Sequence, residues 1–370
     1  MTTLADLLDA LTVEGALYEP LENGKVRCLA CGHRCVINPG RRGVCKVRFN
    51  RDGKLMVPWG YVAGLQADPI EKKPFYHFMP GSDALTFGML GCDMHCPFCQ
   101  NWLTSQALRD PASDAAGRFV RRISPEDLVQ LALQAGASTV ASSYNEPLIT
   151  LEWAADIFRL AKQHGLKTVM ISNGHATPEA LKFIRPHLDG YKVDLKTMDA
   201  REYRRLGGNL DVVLDTIRRA HEMGLWVEVV TLVIPGYNDS VDMLMDMARF
   251  IASVSPDVPW HVTAFHPDYK MTDTPPTPVE TLLKAAEIGE EAGLRFVYVG
   301  NLPGRAGQYE HTRCPHCRAV LIKRQGYVLQ EYRITGEGTC PECGNVVPGV
   351  WPRDPSKVRL GHGGWPRPLW

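Results

Sequence analysis

The sequence lacks any long apolar run. Its longest uncharged stretch, Leu128 to Asn145, holds Gln130, Gln134, Gly136, Ser138, Ser142 and Ser143, which makes it too polar to span a bilayer. Net charge is absent too: 41 Lys+Arg balance 41 Asp+Glu, so no global cationic field marks the whole chain as a nucleic-acid binder. Met1 to Leu11 carry Asp6 and Asp9 but neither a basic segment nor an apolar core; no secretory leader is expected, and a cytoplasmic location is. Hydrophobic residues at 45% and charged residues at 22% exclude collagen-like, disordered and coiled-coil classes. A chain of 370 residues then has room for two or three domains.

Cysteine, by contrast, is plentiful. Eleven are present, in three groups: Cys28, Cys31, Cys35 and Cys45; Cys92, Cys96 and Cys99; Cys314, Cys317, Cys340 and Cys343. In a reducing compartment such groups indicate metal chemistry before disulfides. Four thiolates can close the shell of a tetrahedral ion or give one ligand to each iron of a cubane. Three leave one cubane iron open, so the middle group is where an outside ligand could reach a metal. Residues 21–60 carry nine Lys/Arg against Glu22 and Asp52, and residues 311–370 carry nine against four acids. These cations offset thiolate charge or form a docking face for an anionic partner.

Between the outer groups, short β-rich runs alternate with helical patterns, which predicts βαβ units on a parallel sheet. The runs are Leu85–Leu90, Ser138–Ser143, Lys167–Ile171, Tyr191–Leu195, Trp226–Ile234, His261–Phe265 and Arg295–Val299. Ser124-Pro125-Glu126-Asp127 has the signature of a helix start and Gly136 of a stop. The recurrence predicts an α/β, partial or full TIM-like (β/α) barrel, whose functional groups belong at the C-terminal ends of the strands. Each run ends in such residues: Cys92–Cys99, Tyr144-Asn145-Glu146-Pro147, Ser172-Asn173-Gly174, Asp194 with Lys196, Gly236 to Asp239, His266, and Gly300-Asn301.

The middle group has the spacing C-x3-C-x2-C, with Phe98 before the last cysteine. An ordinary zinc loop would need a fourth ligand, and His95 lies inside the tight loop. On this motif the chain resembles the radical S-adenosylmethionine superfamily. Asp68 to Gly81 and Cys99-Gln100-Asn101-Trp102 narrow the likeness to the branch related to pyruvate-formate-lyase activating enzymes, and further to the AmmeMemoRadiSam-system radical SAM enzyme family, from about Arg27 to Trp351. The resemblance implies a [4Fe–4S] cluster on Cys92, Cys96 and Cys99, with the catalytic iron open to S-adenosyl-L-methionine. Reductive cleavage would give a 5′-deoxyadenosyl radical that abstracts hydrogen from a protein glycyl residue or a small molecule. It also implies cofactor contacts by Phe98, Asn145, Glu146, Asn173, Asp194, Lys196 and His266, and an electron donor such as flavodoxin or ferredoxin. Tyr144 and Asn145 replace the paired glycines of the family's Gly-Gly-Glu-Pro motif, which shifts the expected contact to the side chain of Asn145 or Glu146.

Three units are expected: residues 1–80, a Cys-rich module with a strap covering the barrel; 81–305, the barrel; and 306–370, a four-cysteine ribbon and tail. The strap carries Glu71, Lys72, Lys73, Tyr76 and His77, which face substrate or cover the sheet. Cys314-x2-Cys317 and Cys340-x2-Cys343, with a turn at Gln325-Gly326-Tyr327, have zinc-ribbon spacing, although rubredoxin-type iron uses the same ligands. The N-terminal four suit zinc or a second [4Fe–4S]. The tail, with Trp365 and Trp370, is expected to pack as an irregular strap. No membrane or nucleic-acid partner is expected. The competing reading is a metal-bound adaptor whose Cys-rich modules grip a partner, with the barrel as scaffold.

Overall fold

A computed structural model describes residues 3–361 and 366–369. Its central element is a nine-stranded sheet. Seven strands run parallel in chain order: β2 (Asp83–Gly88), β3 (Thr139–Ser142), β4 (Lys167–Ser172), β5 (Gly190–Asp194), β6 (Trp226–Val233), β7 (Trp260–Ala264) and β8 (Val297–Gly300). All seven coincide with the β-rich runs. Beyond β2 the sheet continues antiparallel through β1 (Gly64–Pro69) to the short strand Arg367–Pro368. No pairing joins β8 to β2 among the described residues, so the barrel is partial.

The crossover helices are α1 (Pro125–Gln134), α2 (Leu151–Gln163), α3 (Pro178–Ile184), α4 (Leu210–Glu222), α5 (Val241–Val254) and α6 (Val279–Glu291). Ser124, Thr177, Asn209 and Ser240 each accept a hydrogen bond from an amide of the first helical turn. These caps satisfy donors that the helix itself leaves free. The parallel strands are covered on both faces, and they read as continuous runs of buried residues rather than alternating ones. Among the described residues, no helix is long and apolar enough to cross a membrane.

Residues 12–58 form two small antiparallel sheets, and β1, which lies before residue 80, belongs to the large sheet. The tail is more regular than expected. Arg367 and Pro368 pair with Ala67 and Gln66, and Arg367 Nη2 reaches Asp83 Oδ2 at 2.6 Å. Trp365 and Trp370 lie outside the described residues.

A buried polar network fastens the C-terminal ribbon to the sheet. Glu228, on β6, accepts from the amides of Tyr76 and His77 at 3.0 and 2.9 Å and contacts His261 Nε2 at 2.6 Å. His77 Nδ1 meets Pro348 O at 2.7 Å and its Nε2 meets Tyr298 Oη at 2.6 Å. Burial pushes the His77 imidazole down to about 4, against the pull of Glu228. In the unfolded chain it titrates near 6.5. Between these values unfolding takes up a proton, so stability falls as pH drops from 6.5 towards 4, by up to about 1.4 kcal/mol per pH unit. Urea melts at pH 7 and pH 5 are expected to show a steeper acid loss in the wild type than in His77→Gln. Equal slopes would contradict the assignment.

Candidate active site

The C-terminal ends of β2 to β8 enclose a cavity of about 420 Å3, within the range of small-molecule sites. Cys92, Cys96 and Cys99 line it at one end, with Phe98, Asn145, Glu146, Asn173, Asp194 and Lys196 around it. Two loops position these groups. The turn after β2 is tied by Met89 N donating to Asn145 Oδ1 at 3.0 Å and Glu146 N to Gly91 O at 3.3 Å. Gly88 must be glycine, because a Cβ there would lie 2.6 Å from Ser143 O.

Burial raises the thiols of all three cysteines, that of Cys96 to about 12. Free thiols in such a place are costly as anions, and a bound cation removes the penalty by taking the proton's place. Donors stand ready for the sulfurs. Met94 N reaches Cys92 Sγ at 3.3 Å, and Ser105 Oγ lies 3.2 Å from Cys99 Sγ. His95 instead packs on Gly207, its amide donating to Leu206 O at 2.9 Å, and takes no part in the cavity wall. The three thiols therefore fit an iron–sulfur cluster that the protein leaves one ligand short.

Glu146 is buried and accepts from Leu148 N, Ser172 Oγ and Asn173 N at 3.1, 2.7 and 2.8 Å. Burial, with Asp93 nearby, pushes its carboxyl up to about 8. Asp194 sits between Lys192 and Lys196, the latter at 3.3 Å. Its two cations outweigh burial and hold it ionised, and Asp194 in turn holds the Lys196 ammonium charged. Phe98 packs at a tilt against Tyr237, centroids 5.8 Å apart, and keeps its place in the cavity wall.

Several expected contacts are already used within the protein. Asn145 spends its carbonyl on Met89 N and its amide on Glu146 O at 3.2 Å. The Asn173 amide donates to Asp93 Oδ1 at 2.7 Å and its carbonyl accepts from His175 N at 2.9 Å. Both residues hold the loops in register. Tyr144 adopts φ +69°, a glycine-like conformation, so the loop keeps the turn that a glycine would make. Its ring lies 4.2 Å under Lys73 Nζ, and its hydroxyl donates to Asp68. His266 is exposed and meets Gln100 Nε2 at 2.9 Å; it does not line the cavity, because β7 ends at Ala264 and the chain turns outward.

The strap divides in two. Lys72, Lys73 and Pro74 reach the cavity, whereas Tyr76 and His77 seat the ribbon. Lys73, expected only as part of the strap, is buried 2.6 Å from Asp68. Asp93, Tyr327 and Lys192, the partner of Asp194 in the cavity wall, escaped the sequence reading as site groups. Asp93, inside the cysteine loop, accepts from His175 Nδ1 at 2.8 Å. Tyr327, at the ribbon's turn, lines the cavity from the far module. Only the position of Asp93 between two cysteines offered a signal.

Gly174 ends the β4 loop at φ +74°, where a Cβ would run into Val193. Gly174→Ala is expected to cost about 1–3 kcal/mol and to shift Asn173 and Glu146 with it. A thermal melt matching the wild type would contradict this.

In the ribbon, Cys314 Sγ lies 3.6 Å from Cys343 Sγ, and Cys317 Sγ 3.7 Å from Cys340 Sγ. Four ligands about 2.3 Å from one ion are roughly 3.8 Å apart, so the set could bind a single metal ion.

Residues 87–251 match the family model of the Radical SAM superfamily. An uncharacterized protein of Methanocaldococcus jannaschii is 39% identical over 338 residues, covering 90% of this chain and 98% of that protein. Pyruvate formate-lyase-activating enzyme of Staphylococcus aureus is 24% identical over 186 residues, 48% of this chain and 72% of that enzyme. Among solved structures, a domain of pyruvate-formate lyase-activating enzyme from Bacteroides vulgatus has a TM-score of 0.39 at 22% identity, covering 44% of this chain and 98% of the domain. This chain belongs to the radical SAM superfamily of enzymes. Within it, the chain shares its family with the Methanocaldococcus protein and is homologous to pyruvate formate-lyase-activating enzymes.

Proposed function

We propose that this enzyme binds a [4Fe–4S] cluster through Cys92, Cys96 and Cys99 and S-adenosylmethionine beside it, and abstracts hydrogen from a small substrate in the same cavity. The observation that carries the reading is the shared wall: three thiols, that of Cys96 buried and those of Cys92 and Cys99 partly so, face one space with Glu146 and the Asp194–Lys196 pair. A cluster held by Cys92, Cys96 and Cys99, with S-adenosylmethionine beside it, would supply one-electron reductive cleavage of the sulfonium and, through it, hydrogen abstraction from a substrate C–H bond.

The chain's own residues orient and shield. Lys196 and Asp194 offer opposite charges to a zwitterionic amino acid head. Glu146 holds the β4 loop through Ser172 and Asn173. Lys72, Lys73 and Tyr327 stand at the remaining part of the wall; the two lysines share Asp68 as counter-ion at 2.8 and 2.6 Å, and the one positive charge left over favours an anionic small molecule over an uncharged peptide loop. A flavodoxin or ferredoxin supplies the electron, and the ribbon holds zinc as a structural ion. The enzyme works in the cytoplasm and belongs to the AmmeMemoRadiSam-system family. Anaerobic reconstitution followed by reduction tests the reading: 5′-deoxyadenosine and methionine should form in equal amounts. A filled cluster that yields neither would refute it.

A further inference from the structure

Four cysteines remain outside the cavity and the ribbon: Cys28, Cys31, Cys35 and Cys45. A single zinc ion and a cubane demand different spacings of the same four ligands. Around one ion the sulfurs sit roughly 3.8 Å apart, and the ribbon cysteines of this same chain meet that at 3.6 and 3.7 Å. Among the described residues, no three sulfurs of the N-terminal set lie within 4.8 Å of one another, and neither do those of Cys92, Cys96 and Cys99. A cubane spreads its thiolates, because each binds a different iron. By spacing, then, the N-terminal set resembles the central trio and differs from the ribbon.

Its surroundings suit a buried anionic cluster. Cys28, Cys31 and Cys45 are buried and Cys35 is partly so. Arg48, itself 1% exposed, extends Nη1 to Cys28 Sγ at 3.5 Å. The amides of His33, Val44 and Val47 favour the thiolates of Cys31, Cys35 and Cys45. Hydrogen bonds to sulfur are among the levers that tune such clusters.

The set also adjoins the radical site. Cys31 Sγ, an Asp93 carboxylate oxygen and a His175 ring nitrogen lie within 4.8 Å of one another. Asp93 Oδ1 is 3.8 Å from Cys92 Sγ. Arg109 bonds the carbonyls of Val44, Cys92 and Met94 at 2.9, 3.0 and 2.6 Å, fastening the two cysteine loops together. His175 Nδ1 is taken by Asp93, while its Nε2 is buried without a partner. That nitrogen abuts Gly32, where a Cβ would lie 2.6 Å away, so the residue following Cys31 has to be small. With Nδ1 donating to Asp93, Nε2 of the neutral ring is an acceptor with a free lone pair, a packing neighbour of the Cys31 loop rather than a donor to it. A lone ion held by Cys31, Asp93 and His175 would use only one of the four cysteines and leave Cys28, Cys35 and Cys45 without a ligand role.

We propose that Cys28, Cys31, Cys35 and Cys45 hold a second [4Fe–4S] cluster next to the first, with Asp93 and His175 between them. The test is metal and sulfide content of the full chain after anaerobic reconstitution. The wild type should bind about eight irons and eight sulfides, plus one zinc. Cys28→Ser with Cys45→Ser should lose about four irons, and Cys92→Ser with Cys96→Ser and Cys99→Ser should keep about four. The second variant keeps the measurement decisive if the first fails to fold. About four irons and two zincs in the wild type would overturn the proposal. So would a triple variant without iron, or a zinc that survives Cys28→Ser with Cys45→Ser but is lost in His175→Ala. Deoxyadenosine formation by the wild type reports separately on the radical site, so the two claims can fail independently.

Discussion

Cys96→Ala is expected to lower 5′-deoxyadenosine formation by more than about 100-fold, since even partners that merely orient a metal ligand cost 10–100-fold when lost. Cys96 is buried in the cavity wall with Cys92 and Cys99, and two thiolates cannot hold a cubane that needs four ligands. The same variant should lose about four irons per chain yet keep the melting behaviour of the ribbon, whose four cysteines lie at the far side of the Glu228 network. Deoxyadenosine formation within tenfold of the wild type would show that the chemistry lies elsewhere. It would also revive the adaptor reading, in which this cysteine is dispensable.

Arg48→Met should be the most destabilising single change away from the cavity. The guanidinium pairs with Glu152, donates to Ile149 O at 2.8 Å and touches Cys28, with the pair almost wholly out of water. Burial is the largest influence and opposes its charge, but Glu152 together with Cys28 and Cys45 outweighs it and keeps the guanidinium protonated. Removing one member leaves a buried carboxylate without its cation, which costs about 3–5 kcal/mol. Adding Glu152→Leu should recover most of that loss, because the penalty comes from the unpaired charge. Denaturant midpoints of the two variants check this. A double variant as unstable as the single one would mean that packing, not charge, governs the site.

The seven parallel strands were legible because buried strands and amphipathic helices leave different periods, and helix caps such as Ser124 and Ser240 mark the joins. The rim was legible for the same reason, since strand ends in such a sheet converge whatever their composition. What could not be read was which polar atoms remain free. Asn145 and Asn173 stand where expected, yet their amides are spent on Met89, Glu146, Asp93 and His175. The contact between Asp93 and His175 joins residues 82 apart in sequence, and no local pattern announces it. Tyr144 conceals a glycine-like turn behind a bulky side chain, because a backbone angle is not written in residue type alone. Tyr327 reaches the cavity only because His77 and Glu228 seat the ribbon against the sheet. His266 follows a strand but leaves the rim, as β7 stops two residues earlier.

The most direct measurement is electron–nuclear double resonance on the reduced, reconstituted protein with S-adenosylmethionine labelled in its carboxylate. A cluster held by Cys92, Cys96 and Cys99 has one iron without a protein ligand, so the label should couple magnetically to it. That coupling should persist in Cys28→Ser with Cys45→Ser and vanish in Cys96→Ala. A reduced cluster that shows no coupling to the label, or a tetrahedral zinc ion found at the three cavity cysteines, would contradict the account.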